Sequence, residues 1–249
     1  MLVFTRSIMS LQITGVNDVL EALKNGTDIE LVLVDRDEDC SEIRDLCEKR
    51  CVRVVEGSST DLWRMSANGQ QKALALVGRQ PEGTLEEVFS REGAIWLFDG
   101  VEYAPNLGFG IRTAEVSGAT AVIINVTKTH EERRTVRRAS MRAVRFIPVV
   151  YATTEEILAA CNRRIVVAED VGEIAPWDTD LTGDIMLVVG GENAGVSKEI
   201  LSAANDIVRL PMPGFVPSYN LQVAVSALAM ERLRPVSYTH LTLPTRLPV

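Results

Sequence analysis

Short apolar runs alternate with amphipathic stretches along most of the chain. Runs such as Ile29–Val34, Ala94–Phe98 and Ile185–Val189 consist of apolar and β-branched residues, which is typical of buried strands. The stretches between the runs carry apolar residues at helical spacing. Because the strands are almost wholly apolar and alternate with helices, the pattern predicts an α/β fold with a mostly parallel sheet that helices cover on both faces.

The predicted elements fall into two segments. In the first segment we expect helices at 16–24, 41–50 and 61–65, and strands at 29–34, 52–55 and 73–77. In the second segment we expect strands at 94–98, 121–126, 147–150, 164–168, 185–189 and 207–210, and helices at 84–90, 107–117, 133–143, 154–161, 197–203 and 218–233. Pro81 and Gly83 interrupt the pattern between the segments. We therefore expect a small α/β domain over 1–80, a linker over 81–92 and a larger domain over 93–234.

The stretch 235–249 differs from the rest of the chain. It holds three prolines, no acidic residue and no amphipathic period. We expect a disordered or non-native extension here and assign it no function. One of the two histidines, His240, lies in this stretch and the other is His130, so a histidine-based catalytic scheme is disfavoured.

Composition sets broad limits on the class of protein. No apolar run is long enough to span a bilayer and no secretory signal is evident at the start, so we expect a cytoplasmic protein without a membrane partner. Cys40, Cys47 and Cys51 are spaced to share one helix face, but no CxxC pair or nearby histidine completes a zinc site. We expect small, buried, reduced thiols and no metal.

Charge is distributed unevenly along the chain. The formal net charge of −8 argues against a protein that coats nucleic acid without specificity. A cluster of basic residues nevertheless lies between positions 128 and 145, where only Glu131 and Glu132 oppose it. Its members are Lys128, Arg133, Arg134, Arg137, Arg138, Arg142 and Arg145. Charge alone leaves two interpretations open, namely a solvated helix face and a surface for a structured RNA.

The first of three polar motifs runs from Asn106 to Arg112, with glycines at 108 and 110, and follows the strand 94–98. Asn106 is a good helix N-cap, and the glycines allow another backbone or a ligand to approach closely. Arg112 then lies on the second turn of the helix, from which it can point toward the carboxyl end of the strand. The alternative is a surface arginine, and the glycine spacing does not match a dinucleotide fingerprint.

The second motif joins the strand 185–189 to a helix through Gly190-Gly191-Glu192-Asn-Ala-Gly195-Val-Ser197. Such a turn exposes main-chain groups at the carboxyl end of a strand, where ligands bind in open α/β sheets. It lacks the Lys and Thr of a phosphate loop, which disfavours triphosphate binding. Glu192 is placed to orient a substrate hydroxyl or Arg112, although a solvated acid in a glycine-rich turn remains an alternative.

The third motif runs from Leu210 to Asn220 and contains three prolines, which make the loop rigid. It brings Ser218 and Asn220 to the start of a helix. An N-cap role explains Ser218 but leaves Asn220 without a function.

Taken in this order, the three motifs resemble motifs 1, 2 and 3 of the SpoU/TrmH group of the SPOUT methyltransferases. The resemblance covers about 92–234. The chain departs from the family pattern at Gln222, where members often carry serine. Residues 13–78 are similar to the substrate-binding domain that precedes the catalytic domain in several members, which itself is similar to small ribosomal proteins that bind RNA turns. The start at Gly15 and the strand Glu30–Val34 carry that likeness.

The resemblance implies the function and the site. It implies an α/β domain with a deep trefoil knot and a homodimer with active sites at the subunit interface, which transfers methyl groups from S-adenosylmethionine to a ribose 2′-hydroxyl of ribosomal RNA or, second, tRNA. The matching catalytic residues are Asn106, Arg112, Glu192, Ser218 and Asn220. The matching cofactor-binding residues are Gly190, Gly191, Leu210, Met212, Asn220 and Leu221. For RNA binding we expect Arg133, Arg134, Arg137, Arg138 and Arg142.

A mechanism and two rival functions follow from these residues. We expect Arg112 to hold an RNA phosphate and lower the pKa of the hydroxyl rather than act as a base, since a guanidinium pKa exceeds about 12. Asn106, Glu192 and Ser218 then orient the hydroxyl or Arg112. The rivals are an RNA-binding protein that has lost catalysis on the same fold, and a metabolite-binding α/β enzyme.

Overall fold

The structure of the protein is a computed structural model that describes residues 12–78, 80–216 and 218–238. The chain divides between Gln80 and Pro81 into two compact units. Both units are built from strands and helices that alternate in sequence. The α/β class predicted from the apolar pattern is therefore confirmed.

The first unit is a four-stranded sheet with three helices. Its strands are β1 (Gln12–Thr14), β2 (Ile29–Asp35), β3 (Arg53–Gly57) and β4 (Ala73–Val77), and its helices are α1 (Val16–Lys24), α2 (Ser41–Lys49) and α3 (Ser59–Met65). The strand order is β1-β4-β2-β3, in which β2 and β3 are parallel and β4 is antiparallel to both of its neighbours. The sequence did not predict β1, because an edge strand of three residues is too short to show a period.

Of the three cysteines that were predicted to share one helix face, only Cys47 lies within α2. Cys40 precedes the helix and Cys47 lies within it; both are buried, and burial raises the pKa of both thiols. Cys51 comes two residues after the helix end, is exposed, and has a φ of 56°. The shared face was therefore a wrong prediction, because α2 ends at Lys49 before its periodicity reaches Cys51.

The second unit is a six-stranded sheet with six α-helices among its described residues. Its strands are β5 (Ile95–Asp99), β6 (Ala121–Asn125), β7 (Val149–Tyr151), β8 (Arg164–Ala168), β9 (Ile185–Gly190) and β10 (Asp206–Val208). Its helices are α4 (Leu85–Ser90), α5 (Ala104–Val116), α6 (His130–Ala139), α7 (Thr154–Ala160), α8 (Lys198–Ser202) and α9 (Leu221–Tyr238). The order is β10-β8-β9-β5-β6-β7, and every neighbouring pair is parallel.

Two separate cores cover the two faces of this sheet. Along β5, Trp96 and Phe98 point into the core that contains residues of α5, α6 and α9. Ile95 and Leu97 point into the opposite core, which contains residues of α4, α7 and α8. All four side chains are fully buried. A strand buried on both faces needs apolar residues at every position, which explains the unbroken apolar runs in the sequence.

The stretch 81–92, expected to be a linker, is part of the second unit. Val88 and Phe89 of α4 are buried in the core on that face of the sheet. The Arg163 guanidinium donates hydrogen bonds to the main-chain oxygens of Phe89, Arg91 and Gly93 and stacks on the Phe89 ring. Buried apolar side chains and these bonds fix the stretch to the sheet, so the linker expectation is corrected.

The helices α5 and α6 begin or end away from their predicted positions. The helix α5 starts at Ala104 with Pro105 in its first turn, so Asn106 is not the N-cap. The helix α6 starts at His130 because Thr129 and Glu132 form a capping box. It ends at Ala139, ahead of two residues with positive φ, Met141 and Arg142.

The last helix also differs from the prediction at both ends. The helix α9 starts at Leu221 rather than Ser218, because the Asn220 side chain accepts a hydrogen bond from the main-chain N–H of Gln222 at 2.9 Å and caps the helix. It continues to Tyr238, beyond the predicted end at 233. The rest of the expected extension, 239–249, lies outside the described residues. In the described part of the chain, no helix has the length and hydropathy needed to cross a bilayer.

Candidate active site

The strands β5 and β9 are parallel neighbours, so their carboxyl ends bring the first and second motifs together. The Asn106 Nδ2 atom on α5 donates a hydrogen bond of 2.8 Å to Glu192 Oε1 in the turn after β9. The main-chain N–H of Glu102 donates to the other carboxylate oxygen, Glu192 Oε2, at 3.3 Å. Both oxygens of the Glu192 carboxylate therefore accept hydrogen bonds, one from the β5–α5 connection and one from the first turn of α5.

The third motif joins the same cluster through Asn220. Its Nδ2 atom donates to Asn106 Oδ1 at 3.4 Å, while its Oδ1 atom caps α9. Asn106 is thus bonded to Glu192 through its amide nitrogen and to Asn220 through its carbonyl oxygen, and it is buried. One side chain from each of the three motifs participates in this chain of hydrogen bonds. Of the two groups that Glu192 was expected to orient, a substrate hydroxyl or Arg112, Arg112 is not its partner within this chain, where its carboxylate is bonded to Asn106.

A cavity of about 500 Å³ opens beside this network at the carboxyl ends of β8 and β9. Such a volume is typical of small-molecule sites. Every residue that the sequence proposed for the cofactor lines it, namely Gly190, Gly191, Leu210, Met212, Asn220 and Leu221. Asn106, Glu192 and Ser218 also line it. The three motifs therefore converge on one cavity.

Glycine is required at 191 by the packing of two turns. A Cβ atom there would lie 2.1 Å from the main-chain oxygen of Gly100. No side chain is accommodated at that distance, so the turn after β9 lies directly against the turn after β5. This close approach places Glu192 within hydrogen-bonding distance of Glu102 and Asn106.

Arg112 does not join the cavity. Arg112 is exposed on α5, and among the described residues it does not line the cavity. The helix starts earlier than the sequence predicted, which moves Arg112 from the second turn to the third. Within this chain the structure therefore brings together four of the five proposed catalytic residues and leaves Arg112 apart.

The proposed RNA-binding arginines lie on and just after α6. Arg134, Arg137 and Arg138 are exposed, whereas Arg142 is partly buried. Arg133 stacks on the Tyr151 ring at 4.4 Å and donates to the main-chain oxygen of Lys128 at 3.2 Å. Burial raises the pKa of the Tyr151 hydroxyl. Arg134, Arg137 and Arg138 form an exposed cationic strip, which we call the basic surface.

Sequence reasoning missed several residues that hold the site in place. Asp99 ends β5, is buried, and accepts hydrogen bonds from the Ser197 main-chain N–H at 2.7 Å and from Asn125 Nδ2 at 2.6 Å. Glu169 lines the cavity and accepts a bond of 2.6 Å from the main-chain N–H of Val196. These residues could have been found from the sequence, because each is a polar residue at or just after the end of an apolar strand. Such positions meet at one edge of a parallel sheet, where ligands bind.

Acidic groups outnumber basic ones in the cavity wall. Glu169, Asp170 and Glu192 contribute carboxylates and Arg209 contributes a guanidinium, beside apolar side chains such as Val189 and Leu210. A wall of this kind suits a ligand with an apolar ring and a positive charge. Within the described residues, no group of three or more His, Cys, Asp or Glu side chains is arranged to hold a metal ion.

Comparison with known proteins gives related sequences over most of the chain. The model of the SpoU rRNA Methylase family matches residues 94–230. The 23S rRNA (guanosine-2′-O-)-methyltransferase RlmB of Xanthomonas campestris pv. campestris is 28% identical over 89% of this chain and 95% of its own length. The RlmB protein of Pseudomonas syringae pv. tomato is 34% identical over 61% of this chain and 64% of its own length.

Solved structures share the fold. The AdoMet-bound rRNA methyltransferase from Sinorhizobium meliloti superimposes with a TM-score of 0.59 at 24% identity, covering 90% of this chain and 87% of that one. The SpoU methyltransferase AviRb from Streptomyces viridochromogenes, in complex with AdoMet, gives a TM-score of 0.55 at 21% identity over 90% and 89% of the two chains. Since the family model covers more than half of the sequence and includes the three motifs, the chain belongs to the SpoU rRNA methylase family and is an RNA methyltransferase.

Proposed function

We propose that the protein transfers the methyl group of S-adenosylmethionine to a ribose 2′-hydroxyl of ribosomal RNA, and that its target is a guanosine of 23S rRNA. The observation that carries this proposal is the convergence of the three motifs on one cavity at the carboxyl ends of β8 and β9. The relatives named for guanosine 2′-O-methylation of 23S rRNA support the choice of target, and one of them matches across 95% of its length. Action on ribosomal RNA also implies a cytoplasmic protein.

The cavity wall fits the cofactor. Apolar side chains of Val189, Leu210 and Leu221 suit an adenine ring, and the main chain at 190–191 and 210–212 supplies donors and acceptors for its edges. The carboxylates of Glu169 and Asp170 suit the positive charges of the ligand. When bound, S-adenosylmethionine supplies a methyl group on a sulfonium, which is activated for attack by an oxygen. We assign the trefoil knot that the resemblance implies to these same segments.

The residues of the site orient the acceptor hydroxyl. Methyl transfer needs the attacking oxygen about 3 Å from the methyl carbon and in line with the leaving sulfur. Glu192 and Asn220 hold the Asn106 amide in a fixed position at the edge of the cavity, and Ser218 lies on the same wall. We assign these four side chains to positioning of the ribose. A fixed arrangement of this kind acts mainly on kcat, because it lowers the cost of reaching the reactive geometry.

Arg112 acts at the active site of a second copy of the chain in a homodimer. The helices α5 and α9 pack against each other and expose large apolar side chains, namely Phe109, Val116, Val223 and Met230. An exposed apolar surface of this kind favours association. In a homodimer built on α5 and α9, Arg112 would face the partner's cavity and hold the RNA phosphate next to the target ribose.

The RNA contacts the basic surface of α6. The residues Arg134, Arg137 and Arg138 are exposed and place three cations on a helix that packs against α5, which carries Asn106. Phosphate contacts position an RNA without selecting its sequence. We assign the choice of target to the first unit, whose sequence resembles the substrate-binding domain that precedes the catalytic domain in several family members, and we keep Arg133 and Arg142 as flanking contacts.

Two measurements separate this proposal from its rivals. Calorimetry with S-adenosylmethionine and with ATP distinguishes a methyltransferase from a nucleotide-dependent enzyme, since only the former binds the sulfonium ligand. Transfer of labelled methyl from S-adenosylmethionine to a 23S rRNA transcript then distinguishes an active enzyme from an RNA-binding protein without catalysis. Binding and transfer are both expected; binding of ATP alone would refute the proposal.

A further inference from the structure

Lys128 is buried although lysine is rarely buried in proteins. Only 2% of its side chain is exposed. It lies between β6 and α6, one residue before the Thr129 cap. Removing an ammonium group from water is costly unless its donors find acceptors. The position of this lysine therefore calls for a specific role.

The Lys128 ammonium is directed at the connection between β5 and α5. Its Nζ atom donates a hydrogen bond to the main-chain oxygen of Glu102 and lies 3.5 Å from the Glu132 carboxylate. Glu132 is already engaged by the N–H and hydroxyl groups of Thr129. The main-chain oxygen of Glu102 is thus the contact that links Lys128 to another part of the fold.

Glu102 connects Lys128 to the active site. Its main-chain N–H donates to Glu192 Oε2, and its carboxylate accepts a hydrogen bond of 3.2 Å from Asn193 Nδ2. Glu192 in turn accepts the hydrogen bond from Asn106. A displaced Glu102 would remove one of the two donors that fix the Glu192 carboxylate and would allow the Asn106 amide to move.

On the basis of the proposed function, we propose that Lys128 is a positioning residue for methyl transfer, which holds the Asn106 amide in place through the main chain of Glu102 and the Glu192 carboxylate. Lys128 itself does not line the cavity among the described residues. Its removal should therefore lower kcat and leave the affinity for S-adenosylmethionine almost unchanged. A residue that only stabilises the fold would lower the melting temperature without lowering the kcat of the folded enzyme.

The test compares Lys128→Met, which keeps a side chain of similar length but removes the hydrogen-bond donor, with Lys128→Arg, which keeps a donor. Arg163→Met is the matched control, since Arg163 is a half-buried cation that, like Lys128, donates to main-chain oxygens of the same unit, and it does not line the cavity. Well below the melting temperature we expect kcat to fall about 10-fold in Lys128→Met, to recover at least partly in Lys128→Arg, and to stay within about twofold of wild type in Arg163→Met.

A double-mutant cycle with Asn106→Ala tests the proposed route. If Lys128 acts through Asn106, adding Lys128→Met to Asn106→Ala lowers kcat by less than about twofold, because the group it positions is already gone. Independent losses that multiply in the double variant would overturn the inference. A wild-type kcat in folded Lys128→Met would do the same.

Hydrogen exchange of the Glu102 main-chain amide tests the positioning role of Lys128 without depending on the proposed function. The main-chain amide of Glu102 should exchange about 10-fold faster in Lys128→Met than in wild type, whereas in Arg163→Met it should not change. An unchanged Glu102 amide in Lys128→Met contradicts the positioning role even if no substrate RNA has been found. A wild-type protein that transfers no methyl to ribosomal RNA contradicts the proposed function, and the exchange rates still decide the role of Lys128.

Discussion

The side chains of Asn106 and Glu192 are joined by a 2.8 Å hydrogen bond although 86 positions separate them in the sequence. The bond forms because the parallel strands β5 and β9 are neighbours and end at the same edge of the sheet. Glu102 and Asn220 extend it into a network that contains a residue from each motif.

Glu192→Gln should lower kcat about 100-fold while the affinity for S-adenosylmethionine changes less than about threefold. Glutamine has the same shape but only one acceptor oxygen, so its NH₂ group faces either the Asn106 amide or the Glu102 N–H, both of which are donors. Steady-state kinetics and calorimetry provide the two values. Glu199→Gln on the exposed surface of α8 is the control and should behave as wild type.

Gly108→Ala should destabilise the protein by about 1–3 kcal/mol, although alanine is the better helix former. A Cβ atom at 108 would lie 2.6 Å from the Ala139 Cβ and 2.7 Å from the main-chain oxygen of Val136, so α5 and α6 would have to separate. Urea unfolding measures the change. Gly214→Ala is the control, because nothing lies within 4 Å of a Cβ there; equal stability of the two variants would contradict the packing argument.

The capping box of α7 should make stability depend on pH. Hydrogen bonds from the Thr153 main-chain N–H and hydroxyl lower the pKa of Glu156 from its ordinary value of 4.5. A carboxyl group whose pKa is lower in the folded state stabilises above its unfolded pKa, and this contribution is lost as the pH falls through the folded pKa. The melting temperature of wild type should exceed that of Glu156→Gln at pH 6, and the gap should close below pH 4.5.

The neighbouring substitution Glu155→Gln is the control for the pH experiment. Both glutamates lie in the first turn of α7, but the hydrogen bonds from Thr153 are to Glu156. Glu155→Gln should therefore show a smaller gap at pH 6. A gap for Glu156→Gln that persists at pH 3 would show that its origin is not ionisation of this carboxyl group.

Neutralising the basic surface should weaken RNA binding in a salt-dependent manner. Replacing Arg134, Arg137 and Arg138 with glutamine should reduce the slope of log K against log salt by about 0.7 to 0.9 per lost phosphate contact. Filter binding of an rRNA fragment at several salt concentrations measures the slope. Lys198→Gln, at an exposed position of α8, should leave the slope unchanged. An unchanged slope in the triple variant would remove the basic surface from the interface.

The sequence predicted the class of fold and the members of the candidate site better than their arrangement. Apolar runs located the buried strands because residues buried on both faces must all be apolar. Helix starts were less accurate: α6 begins at His130, three residues before its predicted start, at the capping box of Thr129 and Glu132, whereas α7 begins at Thr154 as predicted. The start of α5 before Asn106 changed the role of that residue from helix cap to hydrogen-bond partner of Glu192.

Contacts between distant strands could not be predicted from the sequence. The bond between Lys128 and Glu102 depends on the order of β5 and β6 in the sheet, and the Gly191 contact with Gly100 depends on the neighbouring positions of β5 and β9. Local patterns carry no information about which strands become neighbours. The separation of Arg112 from the cavity has a different, local origin, since it depends on where α5 begins.

Mapping of 2′-O-methyl groups on ribosomal RNA tests the central claim most directly. Total RNA from cells that lack the protein is compared with RNA from cells that express wild type or Glu192→Gln. One ribose of 23S rRNA, at a guanosine, should be methylated with wild type and unmodified both without the protein and with Glu192→Gln. An identical 2′-O-methyl pattern with and without the protein would contradict the claim.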